Sequence, residues 1–217
     1  TTNLHGEALK QEMQKILAWL QAESDQVPSI GIYGMGGVGK TTLARHIYTE
    51  LRSALDGFYL CWVTVSQEAD RDKLQYDLAR ELHFDLSKDD DFETRAANLR
   101  HVNKRKEKAV IIFDDVWQDF GLREFGIPID EDGCKVIITS RSHDVCNKMR
   151  CKITIKLQPL PEKEAWELFL ERLDCLNNLS SEVEEVAKKM VKKCDGLPLA
   201  IITMAKSMVG VDDIHEW

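Results

Sequence analysis

The feature that most constrains this chain is a glycine-rich segment, Gly34–Thr41, which lies between a short apolar strand and an amphipathic helix. Its letters, GMGGVGKT, fit the pattern G-x-x-x-x-G-K-[ST], whose backbone amides converge on phosphate oxygens. Glycine suits such a loop because a side chain would fill the space of the phosphates and would resist the unusual dihedral angles. The segment therefore predicts a phosphate-binding loop in a fold where a strand leads directly into a helix.

The last two residues of this loop carry the side chains that a phosphate ligand needs. Lys40 places a positive charge on the outer phosphates, and Thr41 offers a hydroxyl to Mg²⁺. The positive N-terminus of the following helix attracts the same phosphates. These residue types favour a nucleoside triphosphate with Mg²⁺ as the ligand.

Two later strands end in charged residues. Val110–Phe113 is apolar and ends in Asp114 and Asp115, at the sheet edge where ligands bind in open α/β folds. Asp114 is the candidate for holding Mg²⁺ through its water shell, and Asp115 for orienting or deprotonating an attacking water. Arg141 follows the strand Lys135–Thr139, where a cation could meet a γ-phosphate, although an arginine at a strand end is usually a solvated surface residue.

The charge balance limits the partners of the chain. Its 217 residues include 29 Lys or Arg and 37 Asp or Glu, so the formal net charge is −8. This excess of negative charge argues against direct binding to nucleic acid, where basic side chains must neutralise phosphates. The longest purely apolar run, Ala109–Phe113, is far below the roughly 20 residues of a transmembrane helix, so no membrane span is predicted.

Hydrophobic periodicity predicts alternating strands and helices up to residue 156 and only helices afterwards. Strands joined through helices imply an α/β fold with a mostly parallel sheet and helices on both faces. We therefore expect a P-loop nucleotide-binding domain at 1–156 and a small all-α subdomain at 157–217. The helices of the second part are expected at about 161–173, 181–194 and 198–209.

Six short blocks follow one another along the chain: Gly34–Thr42, Cys61–Ser66, Ile111–Trp117, Thr139–Arg141, Leu157–Phe169 and Cys194–Ala200. In this order they resemble the NB-ARC domain of plant intracellular immune receptors, the nucleotide-binding leucine-rich-repeat proteins of the STAND class of P-loop ATPases. The chain is most similar to the coiled-coil branch, in which a tryptophan, here Trp117, typically follows the two acids. The resemblance covers nearly the whole chain.

The resemblance implies roles for further residues. It makes Arg141 a sensor of the γ-phosphate and places Pro198, from the helical part, near the adenine. The family often has Gly-Arg-Glu before its first strand, whereas this chain has Leu4–Glu7 there. The implied nucleotide-binding residues are Gly34, Gly36, Gly37, Val38, Gly39, Lys40, Thr41, Thr42, Arg141 and Pro198, with Lys40 and Asp115 catalytic and Thr41 and Asp114 on Mg²⁺.

The function that the resemblance implies is a molecular switch. ADP holds the resting state, ATP the active state, and hydrolysis, at most slow, resets the switch. The chain is expected to be a piece of a longer cytoplasmic protein, cut before a winged-helix subdomain and monomeric by itself. The coiled-coil, winged-helix and leucine-rich-repeat regions would lie elsewhere in that protein, which assembles into an oligomer when active.

A second class of function is a conventional P-loop enzyme with fast turnover, such as a motor ATPase or a small-molecule kinase. Such an enzyme would need a substrate-stacking or basic surface, which the acidic composition does not favour. A GTPase is a variant of this hypothesis. The guanine-binding pattern Asn-Lys-x-Asp is absent: Asn103–Lys106 begins with Asn-Lys but lacks the aspartate.

Overall fold

The computed structural model describes residues 4–22, 28–54, 57–65, 67, 70–87, 90–105, 108–129, 133–173 and 179–211. Within these ranges both strands and helices occur up to residue 156 and only helices follow, as predicted. The alternation is not strict, because two helices and then two strands follow one another directly along the described residues. The elements are α1 (Glu7–Gln21), β1 (Ser29–Tyr33), α2 (Lys40–Ser53), β2 (Tyr59–Thr64), α3 (Arg71–Glu81), α4 (Phe92–Lys104), β3 (Ala109–Val116), β4 (Cys134–Ser140), α5 (His143–Lys148), β5 (Ile153–Lys156), α6 (Glu162–Leu173), α7 (Ser181–Lys193) and α8 (Pro198–Ser207).

The strands form one five-stranded sheet in the order β2-β3-β4-β1-β5, and every neighbouring pair is parallel. The central strands β3 and β4 are buried at consecutive residues, apart from Asp115. Since consecutive side chains point to opposite faces of a sheet, both faces of these strands are covered. The predicted parallel-sheet α/β fold is confirmed.

The strand order sets which residues meet at the carboxyl edge of the sheet. β4 lies between β1, which leads into the glycine loop, and β3, which carries the two acids. The pairing is in step along β4, with Ile32 opposite Thr139 on one side and Phe113 opposite Ile138 on the other. The residues at the end of β4 therefore stand between the end of β1 and the acids.

β3 is longer than the sequence predicts. The prediction ended the strand at Phe113, whereas pairing with β4 resumes after an irregularity and includes Val116. Asp115 lies within this irregularity with a φ of +58°, a left-handed conformation that is rare for a residue with a side chain. Ser140 ties the strand end to β4, because its Oγ donates a hydrogen bond of 2.7 Å to the Val116 carbonyl.

One buried lysine serves the fold. Lys135, on β4, is 7% exposed, and its Nζ donates hydrogen bonds to the carbonyls of Trp19, Leu20 and Ala22 at the end of α1. The last carbonyls of an α-helix lack the full set of helical partners, and a cation also complements the negative end of the helix dipole. Lys135 therefore caps α1 and fixes it against the sheet.

The chain divides into two compact units, which we name by their content. The sheet unit comprises residues 11–34 and 40–156, and the helical unit comprises residues 1–10, 35–39 and 157–217. Compactness alone does not establish that either part folds by itself. The domain limits of 1–156 and 157–217 therefore stay a prediction. Among the described residues, no helix has the length and apolar content to cross a bilayer.

The helical unit has its own core between α6, α7 and α8, where Phe169, Ala187, Ile201 and Ala205 are fully buried. The turn between α7 and α8 requires a glycine at position 196. Its φ is +68°, and an added Cβ would lie 2.2 Å from the Leu160 carbonyl oxygen. The two backbones are this close because the Leu160 amide donates a 2.8 Å hydrogen bond to the Gly196 carbonyl.

We expect Gly196→Ala to lower the free energy of unfolding of the helical unit by roughly 2–4 kcal/mol, because it adds a backbone clash to the strain of a positive φ. Gly210→Ala is the matched control, since Gly210 has a φ of +78° and nothing within 4 Å of an added Cβ. That variant should lose about 1 kcal/mol. Urea unfolding followed by circular dichroism measures both, and equal losses would show that the contact with Leu160 has no energetic role.

Candidate functional site

The glycine loop begins where β1 ends and has the backbone that its sequence requires. Gly37 and Gly39 have φ values of +80° and +108°, which only glycine adopts without strain. The Val38 amide donates a 3.3 Å hydrogen bond to the Met35 carbonyl and its side chain is 2% exposed, so the middle of the loop is anchored. Met35 is 61% exposed. The loop thus has a defined backbone conformation between the strand and the helix.

Lys40 is a buried cation at the end of the loop. It is 7% exposed, and its Nζ donates a 2.8 Å hydrogen bond to the Gly34 carbonyl. Burial lowers the pKa of Lys40 below its ordinary value, an effect that nearby Arg141 reinforces and that the carboxylates of Asp115 and Asp114 oppose. A buried ammonium of this kind gains from an anionic partner, which fits the predicted phosphate contact.

Asp114 joins the start of α2 to the ends of β3 and β4. It is 4% exposed, and its Oδ1 accepts hydrogen bonds from Thr41 Oγ1 at 3.0 Å and from Thr139 Oγ1 at 2.6 Å. A carboxylate beside a hydroxyl is a set of hard oxygen donors, which is the chemistry that Mg²⁺ prefers. The pair of Asp114 and Thr41 therefore fits the predicted metal site.

Asp115 is held at its backbone and at its side chain. Its amide donates a 2.9 Å hydrogen bond to Thr139 Oγ1, which supports the left-handed backbone. Its Oδ2 accepts a 3.2 Å hydrogen bond from the indole Nε1 of Trp117. The side chain is 38% exposed, so water can reach the carboxylate.

Arg141 extends from the end of β4 toward the same carboxylate. Its Nε lies 3.9 Å from Asp115 Oδ1, and its guanidinium stands over the Trp117 ring at 4.5 Å from the ring centroid. The side chain is 54% exposed, as expected for a residue that would meet a ligand. In the sheet unit, the predicted residues Lys40, Thr41, Asp114, Asp115 and Arg141 therefore form one group.

The remaining predicted nucleotide-binding residues have simpler settings. Thr42 lies in the first turn of α2. Pro198 is the first residue of α8, where a missing amide costs no helical hydrogen bond. In the helical unit, the amide of the next residue, Leu199, donates a 3.2 Å hydrogen bond to the Gly37 carbonyl. The start of α8 is therefore bonded to the middle of the loop.

The segment Leu4–Glu7 is anchored to α6 within the helical unit. His5 Nε2 lies 3.0 Å from Glu171 Oε2, and the Glu7 amide donates a 3.2 Å hydrogen bond to Glu164 Oε1. Gly6 has a φ of +103°, and an added Cβ would lie 2.9 Å from the Leu160 side chain. Glycine is thus required in this segment.

Sequence analysis did not identify two further residues that contact this group. Thr139 bonds both acids, and Trp117 contacts both Asp115 and Arg141, although the sequence had assigned neither residue a role. A weak signal was present for Thr139, because a hydroxyl at the end of an otherwise apolar buried strand needs a polar partner. For Trp117 no physical signal existed, since its position depends on the irregular end of β3.

Comparison with known protein sequences identifies a family. A family model for the NB-ARC domain matches residues 9–173. A probable disease resistance protein of Arabidopsis thaliana is 34% identical over 207 residues, which cover 93% of this chain and 24% of the relative. The disease resistance protein SUMM2 of the same plant is 35% identical over 214 residues, covering 95% and 24%. The chain thus spans about a quarter of the length of these relatives.

Solved structures share the fold at low identity. The Drosophila ORC, in a structure bound to DNA, superposes with a TM-score of 0.73 at 14% identity, over 100% of this chain and 58% of that one. A Signal Transduction ATPase with Numerous Domains (STAND) protein from Pyrococcus horikoshii gives a TM-score of 0.55 at 22% identity, over 93% and 29%. At these identities the similarity concerns the fold alone.

We expect Thr139→Val to lower the free energy of unfolding by roughly 1–3 kcal/mol, because it removes one of the two hydroxyl hydrogen bonds to the buried Asp114 carboxylate and the hydrogen bond of the Asp115 amide. Thr139→Ser keeps the hydroxyl and should lose less than half as much. Thr203→Val, on the exposed face of α8, should change stability by less than about 0.5 kcal/mol. Urea unfolding measures all three, and equal losses for the valine and serine variants at position 139 would contradict the role of the hydroxyl.

Proposed function

Because the chain belongs to the NB-ARC domain family, we propose that it is the nucleotide switch of a plant immune receptor, ADP-bound at rest and ATP-bound when active. The observation that carries the proposal is the group formed by the buried Lys40, the pair of Thr41 and Asp114, and the pair of Asp115 and Arg141. A glycine loop with positive φ angles leads into this group. The family makes the chain a nucleotide-binding module, and the two nucleotide states are our proposal.

Four features support the binding of ATP or ADP with Mg²⁺. The glycine loop and the N-terminus of α2 that follows it in sequence would present backbone amides to the phosphates. Lys40 would exchange its hydrogen bond to the Gly34 carbonyl for a charged phosphate oxygen, which is a stronger acceptor. Thr41 and Asp114 would hold Mg²⁺, which neutralises phosphate charge when bound. Pro198, next to the residue that bonds the loop, supports the predicted contact of α8 with the adenine.

We assign the hydrolytic role to Asp115. Its carboxylate is exposed enough to meet a water molecule, and its backbone is fixed by Thr139. Asp115 would orient or deprotonate the attacking water, which is the usual task of an acid in this position. We propose that this hydrolysis is slow, as the family resemblance implies, in contrast to the fast turnover of a motor ATPase or a kinase.

Arg141 would distinguish ATP from ADP. Its guanidinium is a second positive charge near Lys40. Of the two nucleotides, only ATP has a γ-phosphate that this guanidinium could contact. A change at the loop backbone has a direct route to α8 within the helical unit, because the Gly37 carbonyl accepts the Leu199 amide. The stretch after β5, about 156–160, would act as the hinge of the switch.

The larger protein is inferred from the relatives, of which this chain spans about a quarter. We propose that coiled-coil, winged-helix and leucine-rich-repeat regions flank this module in a cytoplasmic receptor. Oligomerisation would belong to the active full-length protein, and this chain by itself would be monomeric.

We expect Lys40→Ala to weaken ADP binding roughly 10- to 100-fold, because a charged hydrogen bond of about 1.5–3 kcal/mol is lost. Lys148→Ala is the matched control, since Lys148 is an exposed lysine of α5 that pairs with Asp144. It should bind ADP as the unmodified chain does. Titration calorimetry with Mg²⁺ measures both, and unchanged affinity in Lys40→Ala would refute the phosphate site.

Arg141→Ala should weaken ATP binding about tenfold and leave ADP binding within about twofold, because ADP lacks the group that the arginine meets. Arg45→Ala is the control, since Arg45 also stands over an indole ring, that of Trp62, at 5.6 Å from the ring centroid. The measurement is the ratio of the two dissociation constants, determined with a non-hydrolysable ATP analogue. A parallel loss of both affinities would contradict a sensor role.

A further inference from the structure

We infer that Trp117 is a positioning residue that orients both Asp115 and Arg141 through a single indole ring. The inference rests on the proposed function, because it concerns the acid and the sensor of the same site. The indole Nε1 donates a 3.2 Å hydrogen bond to Asp115 Oδ2, and the ring face carries the Arg141 guanidinium at 4.5 Å. One side chain thus contacts both the residue to which we assign hydrolysis, Asp115, and the residue to which we assign sensing, Arg141.

The direct interaction between the acid and the arginine is too loose to orient either of them. Arg141 Nε and Asp115 Oδ1 are 3.9 Å apart, which is beyond hydrogen-bond distance. An ion pair between two side chains that are 54% and 38% exposed contributes little energy. The hydrogen bond and the cation–π contact to Trp117 are both within their favourable ranges. The indole is therefore the common support of the pair.

Tryptophan supplies both contacts at this position. Its ring is the best aromatic partner for a guanidinium, and its N–H is a donor that phenylalanine and leucine lack. The bond from Trp117 to Asp115 spans two residues and closes the irregular end of β3, where Asp115 has a φ of +58°. A carboxylate on such a strained backbone keeps one direction only if its side chain is also held.

The chain contains an internal control for this geometry. Trp62, on the edge strand β2, donates its indole N–H to Thr64 Oγ1 at 3.2 Å, again two residues away, and Arg45 stands over its ring. The N–H partner of this second indole is a hydroxyl, whereas that of Trp117 is the Asp115 carboxylate. Substitution of Trp62 therefore removes contacts of the same kind that involve neither Asp115 nor Arg141.

Two substitutions separate the contacts of Trp117. Trp117→Phe keeps an aromatic face for Arg141 and removes the donor to Asp115, so ATP turnover should fall roughly tenfold while the ratio of ATP to ADP affinity stays within about twofold. Trp117→Leu removes both contacts, so turnover should fall and the affinity ratio should shift toward that of Arg141→Ala. Asp115→Ala sets the lower limit of turnover with binding intact, and Trp62→Phe should match the unmodified chain.

A measurement without nucleotide tests the geometry itself. In the ¹⁵N-labelled chain each indole N–H gives one resonance, and the resonance lost in Trp117→Phe identifies Trp117. Asp115→Asn should move that resonance and leave the resonance of Trp62 in place, because the Trp117 N–H bonds the Asp115 carboxylate whereas the Trp62 N–H bonds Thr64. This readout depends on neither binding nor hydrolysis.

The outcomes separate the two proposals. An unmodified chain that binds neither nucleotide refutes the proposed function, and the resonance experiment then decides the position of the indole alone. Normal turnover and a normal affinity ratio in both Trp117→Phe and Trp117→Leu overturn the positioning role while the proposed function stands. A Trp117 resonance that is unaffected by Asp115→Asn overturns it as well. If Asp115→Ala hydrolyses ATP at the normal rate, the role of the acid in the proposed function is wrong.

Discussion

The candidate site depends on one buried carboxylate that accepts two hydroxyl hydrogen bonds. Asp114 Oδ1 accepts from Thr41 at the start of α2 and from Thr139 at the end of β4, so it joins three elements that are distant in sequence. Because a buried carboxylate without partners is costly, this arrangement stabilises the site only when all three elements are in place. Thr139 also accepts a hydrogen bond from the Asp115 amide, which stabilises the irregular end of β3.

Around this carboxylate the chain uses similar groups for different purposes. Lys135 and Lys40 are both 7% exposed, yet Lys135 caps α1, whereas Lys40 bonds a carbonyl of the loop in which an anion is expected. Likewise Trp62 and Trp117 each donate an indole N–H to a residue two positions earlier or later, and only Trp117 reaches an acid. Residue type and burial alone therefore do not identify a functional group, and the partner of each side chain does.

Glycine has two separate tasks in the helical unit. In the loop, Gly37 and Gly39 adopt backbone angles that other residues resist, which leaves amides free of side-chain obstruction. At Gly196 the reason is contact, because the Leu160 carbonyl occupies the place of a Cβ. The Gly-Leu-Pro-Leu motif is thus explained in part by packing: glycine permits the close turn and Pro198 begins α8.

The sequence by itself determined the glycine loop, the alternation of strands and helices, and the charged residues at the ends of the strands, because these depend on local periodicity and residue chemistry. The family was readable for the same reason, since its blocks are short and contiguous. Tertiary structure alone decided that β4 lies between β1 and β3, that β3 continues irregularly to Val116, and that Thr139 and Trp117 join the site. These features arise from pairing between strands more than twenty residues apart, and no local pattern encodes which strand lies beside which.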